Sequence, residues 1–300
     1  MRITQKMLAT SALNGMQTNL RRLSELQRQA VTTRRVNKPE DDPFAVEQSL
    51  GFRSKIKASE TTRGNIGLSR DWLSATDQAL DHVGSLLNRA QSLALQGASD
   101  TLGDEGRQAV SVEVNEILEE MMAVANTRHG DDYLFSGFKL STPAYAETRD
   151  VQGQISSIAA NGVISGQIVR EVEPGVNMVV NVSGDSVFPG IFNMLINLRD
   201  ALVQTPYDPA ALETAITDIK AGLNTTLDVR AAVGTKMRRL ESATARMEDA
   251  ELGMQELLSK AEDADMTKVI TDLNQQKFVY ETALAVNGRV LNTSLLDYLR

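Results

Sequence analysis

The positions of the prolines constrain the fold of this chain more than any other feature of its sequence. The 300 residues contain seven prolines, at positions 39, 43, 143, 174, 189, 206 and 209. Residues 44–142 and 210–300 therefore contain none. Because proline breaks a helix interior, the two tracts predict long helices on both sides of a different middle segment. Aromatic residues make up only 4% of the chain, which favours narrow apolar seams over one large core.

Both ends of the chain show heptad-like apolar spacing, which is typical of helices that pack in pairs. Such helices are marginal alone, so each needs a partner. Several of the heptad positions are occupied by polar residues, among them Gln27 and Lys277. A second apolar row, which includes Val269 and Ala283, widens the C-terminal face. The predicted pairing and self-assembly seam consists of Leu13, Met16, Leu20, Leu23, Ile270, Leu273, Tyr280, Leu284, Leu291 and Leu295.

The stretch RRVNKPEDDPFA, residues 34–45, predicts a helix stop followed by a capped restart. Lys38 precedes proline and is pushed out of helical geometry, so the first helix must end by that point. Asp42 can accept hydrogen bonds from the free N–H groups of the next helix, and Pro43 suits its first position. The segment YDPAALE, residues 207–213, shows the same pattern: Asp208 is the predicted helix cap, and Pro209 is the first residue of the helix. The predicted hinge and cap residues are Asn37, Pro39, Asp42, Pro43, Asp208 and Pro209.

The first proline-free tract predicts at least two helices before residue 127. Gly64 and Gly67 weaken helix near residue 65, and the glycine-containing stretch 97–106 predicts a loop, with Asp104 as the predicted cap. The apolar spacing predicts these buried positions: Trp72, Leu73, Leu80, Val83, Leu87, Leu93, Val110, Val114, Ile117, Leu118 and Met121.

In the middle of the chain the spacing of apolar residues changes from a helical pattern to one typical of strands. Residues 154–184 predict three short strands, with hairpin turns at Asn161-Gly162 and Pro174-Gly175. Helix resumes near Pro189, with Ile191, Phe192, Leu195, Leu198 and Leu202 on its apolar face. The tight aromatic cluster Tyr133, Phe135 and Phe138 is predicted to anchor this β insertion to the helices; binding a ligand is the alternative.

The expected fold is mainly α with a small β insertion. The N- and C-terminal halves form a long antiparallel helical bundle or coiled coil. Residues 1–40 with 261–300 form the predicted terminal coiled-coil domain, residues 41–138 with 187–260 a helical-bundle core domain, and residues 139–186 a small β-rich insertion domain.

Catalytic and ligand-binding patterns are absent from the sequence. There are no cysteines and only two histidines, so neither a Cys-ligated zinc site nor a Ser–His–Asp set can be argued. His129 lies close to Asp131 and Asp132, but one histidine and two aspartates in a turn are too few ligands for a metal site without residues from elsewhere. No GxxxxGK loop occurs. We expect no enzymatic activity, metal or cofactor.

Charge and hydropathy exclude two further classes of partner. The net charge of −8 argues against nucleic acid, although residues 1–40 carry eight Lys and Arg against two Glu. No run approaches the ~20 apolar residues of a membrane span. The N-terminus lacks the apolar core of a cleavable signal.

Three stretches carry a family resemblance: RVNKPEDDPFAV, DYLFSGFKLSTPAY and NQQKFVYETALAVNGRVLNTSLLDYL. They resemble the flagellin superfamily and, within it, proteins of the hook–filament junction. Asn37, Lys38, Pro39, Asp41, Asp42 and Pro43 match the family's N-terminal loop. In filament flagellins that loop usually reads Ser-Ala-Lys-Asp-Asp-Ala. Pro39 and Pro43 depart from that pattern and favour the junction proteins, as does the FSGFK stretch, residues 135–139.

The resemblance implies a secreted structural subunit of the bacterial flagellum, exported unfolded through the type III channel. Its implied partners are further copies of itself, the other hook-associated junction protein, flagellin, and a cytosolic export chaperone on its C-terminal segment. The terminal helices would be disordered in the monomer and ordered on assembly, since weak seams alone do not offset the entropy of ordering. The alternatives are a filament flagellin and a secreted coiled-coil adhesin or effector.

Overall fold

The protein is described by a computed structural model of the single chain. It describes residues 5–99 and 102–298, without the side chains of residues 5, 6, 8, 9 and 289–298. By its internal packing the chain divides into two compact units. Unit 1 contains Met1–Ser59 and Asp249–Arg300, and unit 2 contains Glu60–Glu248.

Six α-helices, six short strands and one 3-10 helix (Gly184–Ser186) make up the described secondary structure. The helices are α1 (Gln5–Thr32), α2 (Pro43–Gly97), α3 (Asp104–Ala125), α4 (Phe188–Val203), α5 (Pro209–Glu262) and α6 (Met266–Tyr298). The strands are β1 (Arg128–His129), β2 (Asp132–Tyr133), β3 (Tyr145–Arg149), β4 (Ile155–Ala160), β5 (Val169–Glu173) and β6 (Val176–Val179). The expectation of a mainly α chain with a small β insertion is confirmed.

Helix α2 runs without interruption through Gly64 and Gly67, so the predicted break near residue 65 is wrong. A glycine inside a helix costs about 1 kcal/mol relative to alanine. Burial of neighbouring side chains offsets that cost, since Ile66 and Ser69 lie between and beside the glycines with 2% and 0% exposure. Packing therefore outweighs local propensity here.

The predicted cap of α3 is also wrong. Gly103 occupies the N-cap position and gives no side-chain hydrogen bond. Asp104 lies in the first helical turn instead, where its carboxylate accepts a hydrogen bond from Arg107 Nη2 at 2.7 Å. An acidic residue in the first turn is still stabilised by the helix dipole.

The β insertion consists of antiparallel hairpins, and one of its two turns differs from the prediction. Pro174-Gly175 joins β5 to β6, with Gly175 at φ +76°, as expected. Asn161-Gly162 follows β4 and turns no hairpin, so that prediction is wrong. The β3–β4 turn is closed by Asp150, whose Oδ1 accepts from the N–H groups of Gln152 and Gln154. Asp side chains commonly stabilise turns in this way, by accepting a hydrogen bond from the main chain two residues on.

One hydrophobic core fills unit 2 and includes the predicted buried positions of α2, α3 and α4. Hairpin residues belong to the same core, namely Tyr145, Ile155, Val172 and Met178. Phe188 and Phe192 of α4 stack with ring centroids 5.7 Å apart, and Tyr145 meets Phe192 edge-on at 5.1 Å. The three-part division of the chain stays a prediction.

A buried arginine ties the β3–β4 hairpin to the helices of unit 2. Arg199 of α4 is 5% exposed, and its Nη1 donates to the carbonyl of Ile155 at 2.6 Å and to Asn115 Oδ1 at 3.2 Å. Its charge is balanced by Asp200, with Arg199 Nη2 2.8 Å from the carboxylate. Buried polar groups are tolerated when paired in this way, so the hairpin is fixed to α3 and α4.

Candidate functional site: the paired terminal helices and the double loop

Helices α1 and α6 pack against each other in antiparallel orientation within unit 1. Gln276 Nε2 donates to Asn19 Oδ1 at 3.3 Å and to the Asn19 carbonyl at 3.4 Å. At the other end of the pair, Arg34 and Asp263 form an antiparallel bridge. Residue numbers on the α6 side decrease from 276 to 263 as those on the α1 side increase from 19 to 34, so the two helices are antiparallel. These two contacts also define the register of the pair.

The residues that face the helix pair follow heptad spacing. On α1 the half-buried row is Ala12, Met16, Asn19, Leu23, Leu26 and Ala30. On α6 the half-buried or buried row is Met266, Val269, Leu273, Gln276, Tyr280, Ala283 and Asn287. With the Asn19–Gln276 contact and the Arg34–Asp263 bridge as reference points, heptad spacing predicts six layers: 12 with 283, 16 with 280, 19 with 276, 23 with 273, 26 with 269, and 30 with 266.

The predicted seam residues fall into two groups in the structure. Met16, Leu23, Leu273 and Tyr280 lie in the half-buried rows. Four others are exposed instead: Leu13 at 56%, Leu20 at 50%, Ile270 at 49% and Leu284 at 42%. The side chains of Leu291 and Leu295 lie outside the described residues. Each helix thus carries two adjacent apolar rows, one toward its partner helix and one away from it. We name the four exposed residues the outer row.

The double loop, residues 33–42 and 263–265, connects α1 to α2 and α5 to α6. The two loop segments are held together by main-chain hydrogen bonds. Arg35 N donates to the Glu262 carbonyl at 2.7 Å, and Ala264 N donates to the Thr33 carbonyl at 3.0 Å. Thr33 has φ +60°, a left-handed conformation that a β-branched residue rarely adopts. The contacts of its neighbours hold it there.

Glu262, the last residue of α5, immediately precedes the second segment of the double loop. The residue is 8% exposed, and Arg53 Nη2 donates to both carboxylate oxygens at 2.7 and 2.8 Å. Arg34 Nε stands 3.4 Å from Oε1 of the same carboxylate. Arg35 Nη2 donates to the Ala261 carbonyl at 3.1 Å. Three arginines from α2 and the first loop therefore converge on the last turn of α5, where the helix dipole also favours cations.

Asp41 organises the loop from within. Its Oδ2 accepts hydrogen bonds from the N–H groups of Asn37 at 3.0 Å and Lys38 at 2.8 Å. These two donors lower the pKa of the Asp41 carboxyl below its ordinary value, and the nearby Arg28 guanidinium adds to the effect. The Asn37 side chain donates to the Arg34 carbonyl at 2.9 Å, so it closes the same turn.

The predicted caps occupy helix starts. Asp42 Oδ1 accepts from Ala45 N at 3.1 Å, and Pro43 is the first residue of α2. This backbone donor, together with the hydrogen bond from Arg35, lowers the pKa of Asp42. Asp208 Oδ1 accepts from Ala210 N at 2.9 Å, one residue after Pro209 begins α5. Pro39 lies in the exposed part of the loop.

The aromatic cluster of unit 2 is not uniformly buried. Phe135 is fully buried and meets Phe188 edge-on at 4.8 Å. Tyr133 is half-buried beneath the Arg128 guanidinium, 5.0 Å from its ring centroid. Phe138 is 73% exposed. Of the three predicted anchors, Phe135 therefore makes the core contact and Phe138 does not.

Gly137 explains why the FSGFK stretch needs a glycine at its centre. Its φ is +67°, and a Cβ there would lie 2.7 Å from the Ile164 carbonyl oxygen and 2.8 Å from Gly166 N. A side chain is therefore excluded by conformation and by space. The turn brings the main chain after Phe135 against the segment that joins β4 to β5.

Sequence reasoning missed Arg53 and Glu262, and it missed the pairing of Asn19 with Gln276. Arg53 and Glu262 are 209 residues apart and belong to no local motif, so only the fold brings them together. Asn19 and Gln276 do carry a signal, because each falls at heptad spacing from apolar residues. Among the described residues, no group of three potential metal ligands occurs, and no helix is long and apolar enough to span a membrane.

Comparison with known families covers both helical ends of the chain. Residues 3–139 match the bacterial flagellin N-terminal helical region, and residues 211–299 match the bacterial flagellin C-terminal helical region. The two matches together include 137 and 89 residues, or 226 of the 300. The chain belongs to the flagellin family.

Relatives of this flagellin-family chain include both a flagellar hook-associated protein and a flagellin. Flagellar hook-associated protein 3 of Escherichia coli K12 is 24% identical, over 92% of this chain and 93% of the relative. The flagellin of Listeria monocytogenes is 21% identical, over 98% of this chain and 96% of the relative.

Solved structures share the fold of this flagellin-family chain. A Vibrio parahaemolyticus protein assigned as a flagellar hook-associated protein superposes with a TM-score of 0.66 at 21% identity, over 74% of this chain and all of that one. Flagellar hook-associated protein 3 of Legionella pneumophila gives a TM-score of 0.62 at 17% identity, over 70% of this chain and 97% of that one.

Proposed function

We propose that this chain is the structural subunit that joins the flagellar hook to the filament. The observation that carries the proposal is similarity to hook-associated protein 3 over almost the whole of both chains. Pro39 and Pro43 support the junction role over a filament role, because both depart from the usual filament loop. The role is mechanical, and it requires packed helices rather than an active site.

The outer row supports assembly by contact between copies. Leu13 and Leu20 lie seven residues apart on α1, and Ile270 and Leu284 lie fourteen apart on α6. Spacing in multiples of seven places each pair on one helix face. Burying these four side chains against neighbouring copies would remove their apolar surface from water. Repeated contacts of one kind, related by a rotation and a rise, generate a helical assembly.

The further partners follow from this role. At the two ends of the assembly the chain would contact the other hook-associated junction protein and flagellin. Before export, a cytosolic chaperone would cover the C-terminal segment, where Phe278 and Val286 are 70% and 53% exposed. The protein would leave the cell through the flagellar type III channel and reside in the extracellular flagellum.

A gene deletion tests the proposed function. We expect cells that lack this chain to carry hooks without filaments and to release flagellin into the medium. Immunogold labelling of complemented cells should place the chain at the hook–filament boundary. Label spread along the whole filament would overturn the proposal.

The outer row can be tested in the same strain. We expect Leu20→Gln/Ile270→Gln to restore export but not filaments, because the substitutions make copy-to-copy contacts polar. The matched control is Gln17→Asn/Gln275→Asn, which changes exposed residues of the same helices and should restore motility. Full motility of the outer-row variant would argue against this surface.

Filament flagellin is the second candidate, and the full-length similarity to Listeria flagellin favours it. The deletion separates the two roles. If this chain were the filament flagellin, its deletion would leave the junction in place, and the medium would contain none of this protein. Loss of a junction subunit would leave flagellin intact but unassembled.

A further inference from the structure

Three Asn-Gly pairs occur in the chain, and the structure places them in two kinds of backbone. Asn14-Gly15 lies within α1, and Asn287-Gly288 lies within α6. Asn161-Gly162 lies in a bend between β4 and β5. The dipeptide is the same in all three, so a difference in their chemistry must come from the backbone around them.

An asparagine followed by glycine carries two groups that can react with each other. The main-chain nitrogen of the glycine attacks Cγ of the asparagine and forms a C–N bond, and the carboxamide nitrogen leaves as ammonia with the proton of the attacking nitrogen. Water then opens the five-membered succinimide at either carbonyl, which gives aspartate or isoaspartate. The reaction needs only water, because both groups belong to adjacent residues. Glycine favours it, since no side chain shields the attacking nitrogen.

Helical backbone opposes this reaction at two of the three pairs. In an α-helix each N–H donates to the carbonyl four residues back, and a ψ of about −42° keeps it directed along the helix axis. The nitrogens of Gly15 and Gly288 are therefore held away from the side chains that they would have to attack. The helix must open locally before either pair can react.

The third pair has no such protection. Asn161 and Gly162 are both exposed, and no described residue forms a hydrogen bond with the Asn161 carboxamide. Gly162 N donates to the Ala160 carbonyl at 2.9 Å, which is the single hydrogen bond of a γ-turn, and water can replace it at an exposed position. The carboxamide and the attacking nitrogen can therefore meet without the loss of a helix or of core packing.

We propose that Asn161 is a modification site of the folded chain, where asparagine converts spontaneously to aspartate and isoaspartate. Asn14 and Asn287 are protected for as long as α1 and α6 are formed. Conversion at Asn161 adds one negative charge to a chain whose net charge is −8. The proposal concerns the folded chain and does not rest on its role at the junction.

The isoaspartate product also changes the main chain, because it inserts one methylene group between residues 161 and 162. The segment that follows packs closely on the FSGFK turn. A Cβ at Gly166 would lie 2.8 Å from Phe138 N, and a Cβ at Gly137 would lie 2.7 Å from the Ile164 carbonyl oxygen. A longer main chain must therefore be accommodated beside contacts that leave no spare space.

A fourth Asn-Gly pair provides the matched control. Ala221→Asn creates it with Gly222, at an exposed position inside α5 and within unit 2. The purified full-length variant is aged at neutral pH and digested, and mass spectrometry with chromatographic separation of isoaspartate measures conversion at both sites. We expect Asn161 to convert at least about tenfold faster than residue 221, because the helical site reacts only while the helix is locally open. In urea the two sites should convert at similar rates.

Two results would overturn the proposal. One is equal conversion at residues 161 and 221 in the folded chain. The other is a difference that persists unchanged in urea, since it would then come from neighbouring side chains and not from the backbone. Asn161→Gln should remove the acidic form of this peptide, because the longer side chain does not close the five-membered ring.

The natural sequence allows the same comparison if Ala221→Asn fails to fold, which circular dichroism would reveal. In flagella sheared from cells, Asn161 should again convert at least about tenfold faster than Asn14 and Asn287. Equal conversion at the three sites would overturn the proposal. A chain that is absent from flagella would overturn the proposed function, and the comparison in the purified chain would be unaffected.

Discussion

Arg53 and Glu262, 209 residues apart in the chain, meet through one guanidinium nitrogen that donates to both oxygens of the carboxylate. The Glu262 side chain is 10% exposed and that of Arg53 is 42% exposed. The acid belongs to the last residue of α5, and the base lies in the third turn of α2. This contact fixes the start of the double loop, because the Glu262 carbonyl also accepts from Arg35 N.

The first prediction concerns the double loop. We expect Glu262→Gln to weaken it by about 1 kcal/mol, since the loss of a charge-assisted hydrogen bond is partly compensated by solvent around Arg53. The measurement is hydrogen exchange of the Arg35 and Ala264 amides in assembled flagella, where the chain ends are ordered, and this exchange should become about five- to tenfold faster. Glu256→Gln, on the exposed face of the same helix, is the control and should have no effect on these amides. Equal exchange in both variants would contradict the central role of Glu262.

The second prediction is a dependence on pH. The pKa of Asp41 is lowered, so its ionised form contributes stability at pH values above about 4, the ordinary value for Asp. That contribution is lost as pH falls through the lowered pKa. We expect Asp41→Asn to lower the urea midpoint of assembled flagella, in which the double loop is ordered, at pH 7, and the gap from the natural protein should narrow as pH falls below 4. A gap that persists at pH 2 would show that the carboxylate charge is not the cause.

Asp42 provides a comparison within the same loop. Its pKa is lowered by the Ala45 N–H and by Arg35, so Asp42→Asn should show a gap of the same sign in the same pH window. Asn can still cap a helix, so the gap reports the charge rather than the loss of the cap. Glu40→Gln, at an exposed loop position, should give no pH-dependent gap.

The third prediction compares two glycines with similar backbone conformation. Gly130 has φ +63° and open space around it, whereas Gly137 has φ +67° and main-chain atoms within 3 Å of the point that a Cβ atom would occupy. We expect Gly130→Ala to cost about 1–2 kcal/mol, from conformation alone. Gly137→Ala should cost roughly 1–3 kcal/mol more, because the neighbouring backbone must move. Urea unfolding of unit 2 measures both, and equal losses would refute the steric argument.

The fourth prediction concerns order at the chain ends. Because the α1–α6 seam is only half-buried and its outer row is uncovered, we expect the isolated chain to lose both ends to protease. The fragment that survives should run from about residue 45 to residue 260. Assembled flagella should protect the same ends. Resistance of both ends in the isolated chain would show that ordering does not depend on assembly.

Local chemistry made much of the fold predictable from sequence. The proline positions marked the starts of α2 and α5, because proline at the first helical position and aspartate before it need no distant partner. The apolar spacing identified the buried faces of α3 and α4 for the same reason. Three local predictions failed. Packing outweighed local propensity at Gly64, Gly103 rather than Asp104 took the N-cap of α3, and Asn161-Gly162 turned no hairpin because β4 pairs with the preceding strand β3.

The candidate site was only partly predictable. Two adjacent apolar rows on each terminal helix satisfy heptad spacing nearly equally well, so the sequence could not separate Leu20 from Leu23, or Ile270 from Val269. The structure separates them, with Leu20 50% exposed and Val269 7% exposed. The same limit applies to the aromatic cluster. The sequence gives Phe135 and Phe138 no distinguishing pattern, yet Phe135 is fully buried and Phe138 is 73% exposed.

By itself, the sequence determined where helices can begin and end, and that the termini must be two complementary helices. These properties depend on backbone geometry and on the spacing of apolar residues along one chain. Only the tertiary structure decided that Asn19 meets Gln276, that Arg53 meets Glu262, and which apolar row stays exposed. Such contacts join residues more than 200 positions apart, and their geometry is set by how the helices pack rather than by any local preference.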